Sequence, residues 1–379
     1  MRRAAASLLV AGALVAAGCR PHIGPSPTPA PSSVAGDLVP ASPMSVTFHL
    51  PGAPGAIFAA VAAIGQTGAL AAAQVTVNAV PLGAAADAFT PAGRTDVVDL
   101  FVTDAAAALA ADAAGADLVQ VAAFQHAPSW QLMTLAKGKV KSIAQLAGKS
   151  VYVDGIPGDE LSLVASLRAA NVDPASVALV YPDDSSVSFD PTQLADGTVA
   201  AVLVRRFDGY PRLVQFADPG TGASVGSAHY RELPLAAVGS GLGIWASAAA
   251  IASDDAQVAT AAALVALAQS EAACRDDVHA CAALFDESSL TDLDADTVAW
   301  ALDALNGSIW PSAAGLFEMD PAALRADLEA IAATGGSASG TPETLMNGAI
   351  LSRAQGHWPE GVDRNGSGWT PAALEIPLY

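Results

Sequence analysis

Val140-Lys141-Ser142-Ile143-Ala144-Gln145-Leu146-Ala147-Gly148-Lys149-Ser150-Val151-Tyr152-Val153 runs directly into Asp154-Gly155-Ile156-Pro157-Gly158-Asp159-Glu160. We read it as a short helix at 143–146, a strand at 150–153, a tight loop, and a helix from about 159 to 170. A buried strand feeding a Gly-bearing loop and then a helix is the repeating unit of a parallel α/β sheet.

The unit recurs on both sides. Upstream, Val46, Phe48 and Leu50 alternate with polar neighbours in a strand at 44–50, and Pro51-Gly52-Ala53-Pro54-Gly55 turns the chain. A helix from about 57, a strand at 75–80, a helix at about 84–89, a strand at 97–102, a helix at about 105–114 and a strand at 118–124 follow. The second series has strands at 132–135, 150–153, 177–181 and 200–204, with a short helix near Gln193. Strands alternating with helices imply a mostly parallel sheet covered on both faces. About 335 residues exceed what one small core accommodates, so two lobes are expected. We assign 44–131 plus 236–354 to lobe 1 and 132–235 to lobe 2. Beyond Asp254 the pattern is helical nearly to Thr334, a helical C-terminal extension. The Gly- and Pro-rich 355–379 reads as an irregular strap.

Arg2 and Arg3, an apolar stretch at 7–17 and Gly18-Cys19 form a signal peptide over 1–18, too short to span a bilayer. Ala16-Ala17-Gly18-Cys19 resembles a lipobox, whose cysteine takes a diacylglycerol, although Ala16 stands where Leu is usual. The Pro- and Ser-rich residues 19–43 then read as a tether. An extracytoplasmic, membrane-anchored lipoprotein is the expectation.

The formal net charge is −20, and it grows more negative once Arg2 and Arg3 leave. So acidic a chain lacks the basic footprint that nucleic acid requires. All four lysines, Lys137, Lys139, Lys141 and Lys149, fall in one segment, either a docking strip or a solvated strand and turn. Cys274 and Cys281 are a candidate disulfide in an oxidising compartment. They can pair only where the helix bends, because an unbroken helix would hold them about 10 Å apart.

Three strings carry a resemblance. Pro91-Ala92-Gly93-Arg94-Thr95-Asp96-Val97-Val98-Asp99, the 140–153 stretch, and Leu194-Ala195-Asp196-Gly197-Thr198-Val199-Ala200-Ala201-Val202 occur in order. Together they resemble the ABC-transporter substrate-binding proteins of the nitrate, sulfonate, taurine and thiamine-pyrimidine group. The likeness spans about Val46 to Ile350, with Ala200 where that group usually has Asp. The region 310–335 resembles the C-terminal helices of the thiamine-pyrimidine binders. The resemblance implies a two-lobed type II periplasmic-binding-protein fold, a small-molecule ligand, and permease and ATPase partners for a monomeric binding protein. Pyrimidine synthases related to the group carry a cysteine cluster that this chain lacks.

Ligands of open α/β sheets settle outside the carboxyl ends of strands. That rule selects Gly52, Pro54, Thr103, Asp104, Phe124, Gln125 and Trp130 from lobe 1 and its exit. From lobe 2 it selects Asp154, Gly155, Gly158, Asp159, Glu160, Arg205, Asp208 and Tyr210. Asp159 and Glu160 either cap the following helix or face a cationic or amine-bearing ligand. Aromatic side chains near strand ends suit stacking on a flat heterocycle, with Asp104 or Asp208 accepting its amino hydrogens. A nitrogenous heterocycle such as a thiamine-type pyrimidine is favoured over a sulfonate or nitrate. A lipid-anchored sensor for a signalling receptor is the rival. No nucleophile elbow, His-Glu-x-x-His helix or phosphate-cradling Gly-rich loop is present, so no enzyme, cofactor or metal is expected.

Overall fold

The computed structural model describes residues 38–67, 70, 72–83, 89–91, 93–183, 189–286, 293–336, 338, 340–358 and 360–379. The expected signal peptide, Cys19, the expected tether as far as residue 37, and residues 84–88 of the helix expected at 84–89 lie outside them.

The chain begins with β1 (Met44–Leu50), α1 (Ala56–Ala62), α2 (Ile64–Thr67), β2 (Val75–Pro81), β3 (Val97–Asp104), α3 (Ala105–Ala111), β4 (Leu118–Ala123) and β5 (Trp130–Leu135). It continues with β6 (Ser150–Val153), α4 (Leu161–Ala169), β7 (Ala178–Val180), α5 (Thr192–Ala195), β8 (Ala201–Arg205), α6 (Gly209–Gln215) and β9 (Tyr230–Leu233). Then come β10 (Leu242–Ser247), α7 (Asp254–Asp276), α8 (Val278–Asp286), α9 (Ala295–Ile309), α10 (Pro321–Ala333), α11 (Pro342–Leu345) and α12 (Gly348–Gln355).

Two five-stranded sheets result, ordered β2-β1-β3-β10-β4 and β7-β6-β8-β5-β9. In each, three neighbouring strands are parallel and the fourth position is antiparallel. That antiparallel strand is β10 in the first sheet and β5 in the second. β5 enters lobe 2 from lobe 1, and β10 makes the return journey. The two sheets therefore share one plan, each completed by a strand that follows a crossing between lobes.

β1 alternates buried and half-buried residues, whereas every residue of β10 is buried. α7 lies across lobe 1, with Ala256, Ala259, Ala263 and Leu267 among its buried positions and Ser253 accepting the Ala256 N–H as cap. Among the described residues no helix is long and apolar enough to cross a membrane.

Several expected boundaries shift. The helix expected at 105–114 gives way after Ala111 to a wider turn over Asp112–Ala116, where Gly115 takes φ 101°. Helix α4 starts at Leu161 rather than 159. The long helical stretch after 254 is broken, first at Asp277, which has non-helical dihedrals. That break brings Cys274 and Cys281 to a Cα separation of 5.1 Å, and the two are disulfide-bonded. The four lysines are exposed in the turn region between β5 and β6.

The last residues run from one lobe to the other. Ser312 N–H donates to Asn365 O at 2.9 Å and Ala372 N–H to Asp303 Oδ1 at 2.9 Å, both within lobe 1. Ser224 N–H of lobe 2 donates to Tyr379 O at 2.6 Å, and Gln215 Nε2 donates to Pro377 O at 3.1 Å.

The short disulfide loop sets a modest stability term. Cys274→Ser is expected to lower the unfolding free energy by about 2 kcal/mol. A denaturant titration checks this: reductant should move the wild-type midpoint as far as the variant's and leave the variant unmoved.

Candidate functional site

The carboxyl ends of β1 and β3 meet those of β6 and β8 along a seam between the lobes. Arg205, the last residue of β8, is 1% exposed. Its Nη2 donates to Asp104 Oδ2 at 3.1 Å, at the end of β3, and to Asp159 Oδ2 at 3.0 Å, in the loop after β6. The guanidinium lies 4.0 Å from the centre of the Trp130 ring, and Trp130 Nε1 donates to the same Asp104 oxygen at 3.2 Å. One arginine thus joins a carboxylate from each lobe beneath an aromatic lid, a stacked and hydrogen-bonded arrangement for which arginine is suited and lysine is not.

The loop at 154–160 is braced by its own acids. Asp159 Oδ2 accepts the Ile156 N–H at 2.9 Å and Glu160 Oε2 accepts the Gly158 N–H at 2.8 Å. Neither carboxylate caps α4, which corrects the capping alternative: the tight Gly155–Gly158 turn supplies closer N–H donors than the helix does. Gly158, at φ 109°, could not be another residue, since a Cβ would sit 2.5 Å from Ala107 Cα of α3 across the seam. Gly52, at φ 76°, is pressed against the Asp208 carboxylate in the same way. Asp208 itself lies 3.9 Å from Arg212.

Four carboxylates (Asp104, Asp154, Asp159, Asp208) therefore gather near two guanidiniums. Burial, reinforced by the Asp208 charge, pushes the Asp154 carboxyl up to about 7. Burial drives Asp159 upward too, with Arg205 pulling it back and Asp104 adding to the rise. The seam is closed. One cavity of about 10 Å³ touches Gly52, Asp154, Gly155, Asp159 and Arg205, and another of about 20 Å³ touches Asp104, Trp130, Gly158 and Asp327. Each has room for about one water. Among the described residues no His, Cys, Asp and Glu group is arranged to hold a metal.

Of the expected positions, Gly52, Asp104, Trp130, Asp154, Gly155, Gly158, Asp159, Arg205 and Asp208 meet at this seam. The others do not. Pro54 is half-buried in the bend after β1, Thr103 is fully buried in β3, and Glu160 braces the loop. Phe124 belongs to the lobe 1 core rather than to the seam, because β4 is an edge strand whose end falls to one side. Gln125 follows it away from the seam and lines a different cavity. Tyr210 packs on Trp300 of α9, with ring centres 5.9 Å apart, so it is a contact between lobes beyond the ion cluster. Asp327 was not foreseen. It is 2% exposed, accepts the Ser240 N–H at 3.1 Å, and is pushed up to about 6 by burial. Its signal was an acid between Leu324 and Ile331 on the apolar face of a helix.

These raised carboxyls fix a sign. A carboxyl that binds its proton more tightly when folded stabilises the fold at low pH, and that contribution is lost as pH climbs from about 4 to about 7. Asp154→Asn should remove part of the fall in stability between pH 5 and 7.5, on the order of 1 kcal/mol per pH unit at most. Denaturant midpoints of both proteins across that range provide the check.

Residues 71–215 match the family model described as NMT1/THI5 like, a stretch that contains all three motif strings. No curated protein matches the chain. Among solved structures, the periplasmic aliphatic sulphonate binding protein SsuA of Escherichia coli is 18% identical over 88% of this chain and 93% of its own, with a TM-score of 0.50. The alkanesulfonate-binding protein SsuA of Xanthomonas axonopodis pv. citri, bound to MOPS, is 16% identical over 83% and 98%, with a TM-score of 0.53. The Candida albicans CA3427 gene product, described as having the generic periplasmic binding protein fold, is 13% identical over 84% and 96%, with a TM-score of 0.54. At these identities the likeness is one of fold. The chain has the two-lobed periplasmic-binding-protein fold and carries over 71–215 an NMT1/THI5-like segment, in agreement with the group its motifs resemble.

Proposed function

We propose that this chain is an extracytoplasmic solute-binding lipoprotein, anchored through Cys19, that captures a small molecule for the permease and ATPase of an ABC importer. In this reading lobe 1 comprises 44–131 and 236–354, lobe 2 comprises 132–235, and the protein acts as a monomer without catalysis. The observation that carries it is the Arg205 bridge between Asp104 and Asp159 at the meeting of the strand ends. Solute enters when the lobes part about the two crossing segments, and closure reassembles the bridge around it.

The ligand class follows from the charges. Four carboxyl groups stand against two guanidiniums, with Asp154 and Asp159 raised by burial, and their acceptor oxygens favour a solute that brings N–H donors. Trp130 offers a ring face for stacking. Both features suit an aminopyrimidine of the thiamine type. A sulfonate is the second reading, supported by Arg205 itself: its Nε and Nη1 are buried without a hydrogen-bond partner. The two SsuA neighbours are sulfonate binders by name.

Calorimetric titration with the aminopyrimidine alcohol of thiamine, and in parallel with MOPS and taurine, separates the two. Binding of the pyrimidine that weakens at least tenfold in Asp104→Asn supports the first reading; binding of the sulfonates alone moves the assignment to the second. A solution in which neither class binds removes both ligand assignments. Cys19→Ser should release the protein from the membrane fraction, as followed by fractionation of the expressing cells.

A further inference from the structure

Apart from the seam, lobe 1 holds a cavity of about 200 Å³, lined among others by Gln125, His126, Ser240, Glu318, Asp320 and Leu324. It shares no lining residue with either seam cavity. The volume exceeds the roughly 150 Å³ that accommodates benzene in an engineered core. Its walls, unlike that core, mix polar side chains with Ala123, Pro311 and Leu324.

Gln125 is the decisive wall residue. It is 1% exposed, and neither its amide oxygen nor its amide nitrogen has a hydrogen-bond partner. A buried amide left unpaired costs about 1–3 kcal/mol for each unmade bond, so it is retained where something bonds to it. Gly241, at φ 82°, backs it closely, since a Cβ there would lie 3.0 Å from the Gln125 Cβ. Next to it, His126 donates its backbone N–H to Ser308 O at 3.0 Å, its imidazole hydrogen-bonds the Gly315 backbone, and its Nε2 is buried without a partner. Burial holds the His126 imidazole below its ordinary value, so it is neutral near pH 7.

The charges on the wall are of one sign. Glu318 accepts from Gln355 Nε2, and Asp320 caps α10 by accepting the Ala322 N–H. No lysine or arginine lines the cavity. Exposed Ala313, Ala314 and Asp320 form the outer side, so a solute has a way in.

We propose that this cavity is a second small-molecule site, for a compact amine-bearing solute whose N–H groups meet Glu318 and Asp320 while its carbonyl or hydroxyl pairs with the Gln125 amide. Gln125 and His126 belong to the first crossing between lobes and Ser240 to the second. A solute seated here therefore touches both crossings at once.

Glycinamide is the probe, because it unites an ammonium with an amide, and acetate is the anionic control. Saturation-transfer NMR of the full mature protein should detect glycinamide and not acetate. Gln125→Leu removes the amide, and Ala314→Trp fills the mouth from an exposed position where folding is undisturbed. Each should weaken glycinamide binding at least tenfold. Absence of glycinamide binding, equal binding of acetate, or binding that survives both cavity variants overturns the proposal.

Discussion

The Arg205 guanidinium holds one carboxylate from each lobe, and its burial makes both bonds costly to break singly. Removing one partner of a buried pair typically costs about 3–5 kcal/mol, because the remaining charge is left without compensation. Asp104 ends β3 and Asp159 sits in the loop after β6, so the bond lengths at Arg205 fix how near the two sheets approach. The glycines that face each other's lobes obey the same spacing. Gly158 against the Ala107 backbone is a position where a single methyl group would hold the seam apart, and at Gly52 it would displace the Asp208 carboxylate.

The matched order of the two sheets explains why this one cluster matters so much. Each sheet presents the carboxyl ends of three parallel strands toward the other, and each receives its antiparallel strand by way of a crossing. The crossings are short, and Gly239 and Gly241 adopt φ of 104° and 82° in the second. The backbone can swivel there at low conformational cost. Within lobe 1 every residue of β10 and most of α7 are buried.

Much of this was legible in the residues. The alternation of Val46, Phe48 and Leu50, and the strand, loop and helix over 140–170, mark parallel α/β units without reference to any relative. β9 and β10 were not marked as strands. β10 is buried on both faces, so it has no alternation, and Gly243 interrupts it because Trp245 and Gln120 crowd that position. The strand-end rule found Asp104, Asp154 and Arg205 because β3, β6 and β8 are interior strands. It failed for Phe124 and Gln125 because it says which end of a sheet matters but not how far along the row a strand lies. Asp327 was hidden for a related reason: only tertiary packing shows that α10 turns that face toward the crossing.

The C-terminal strap adds a remote control over the jaws. Ala372 is secured to Asp303 on one side, and Pro377 and Tyr379 to Gln215 and Ser224 on the other, leaving a leash of five residues, about 17 Å at full stretch. Gaping beyond its slack requires unseating both Pro377 and Tyr379. In the proposed function, the resting balance between shut and gaping forms is thus partly set by residues away from the seam. A substitution at Ser224 or Gln215 would change apparent affinity by altering the competent fraction, with every solute contact intact.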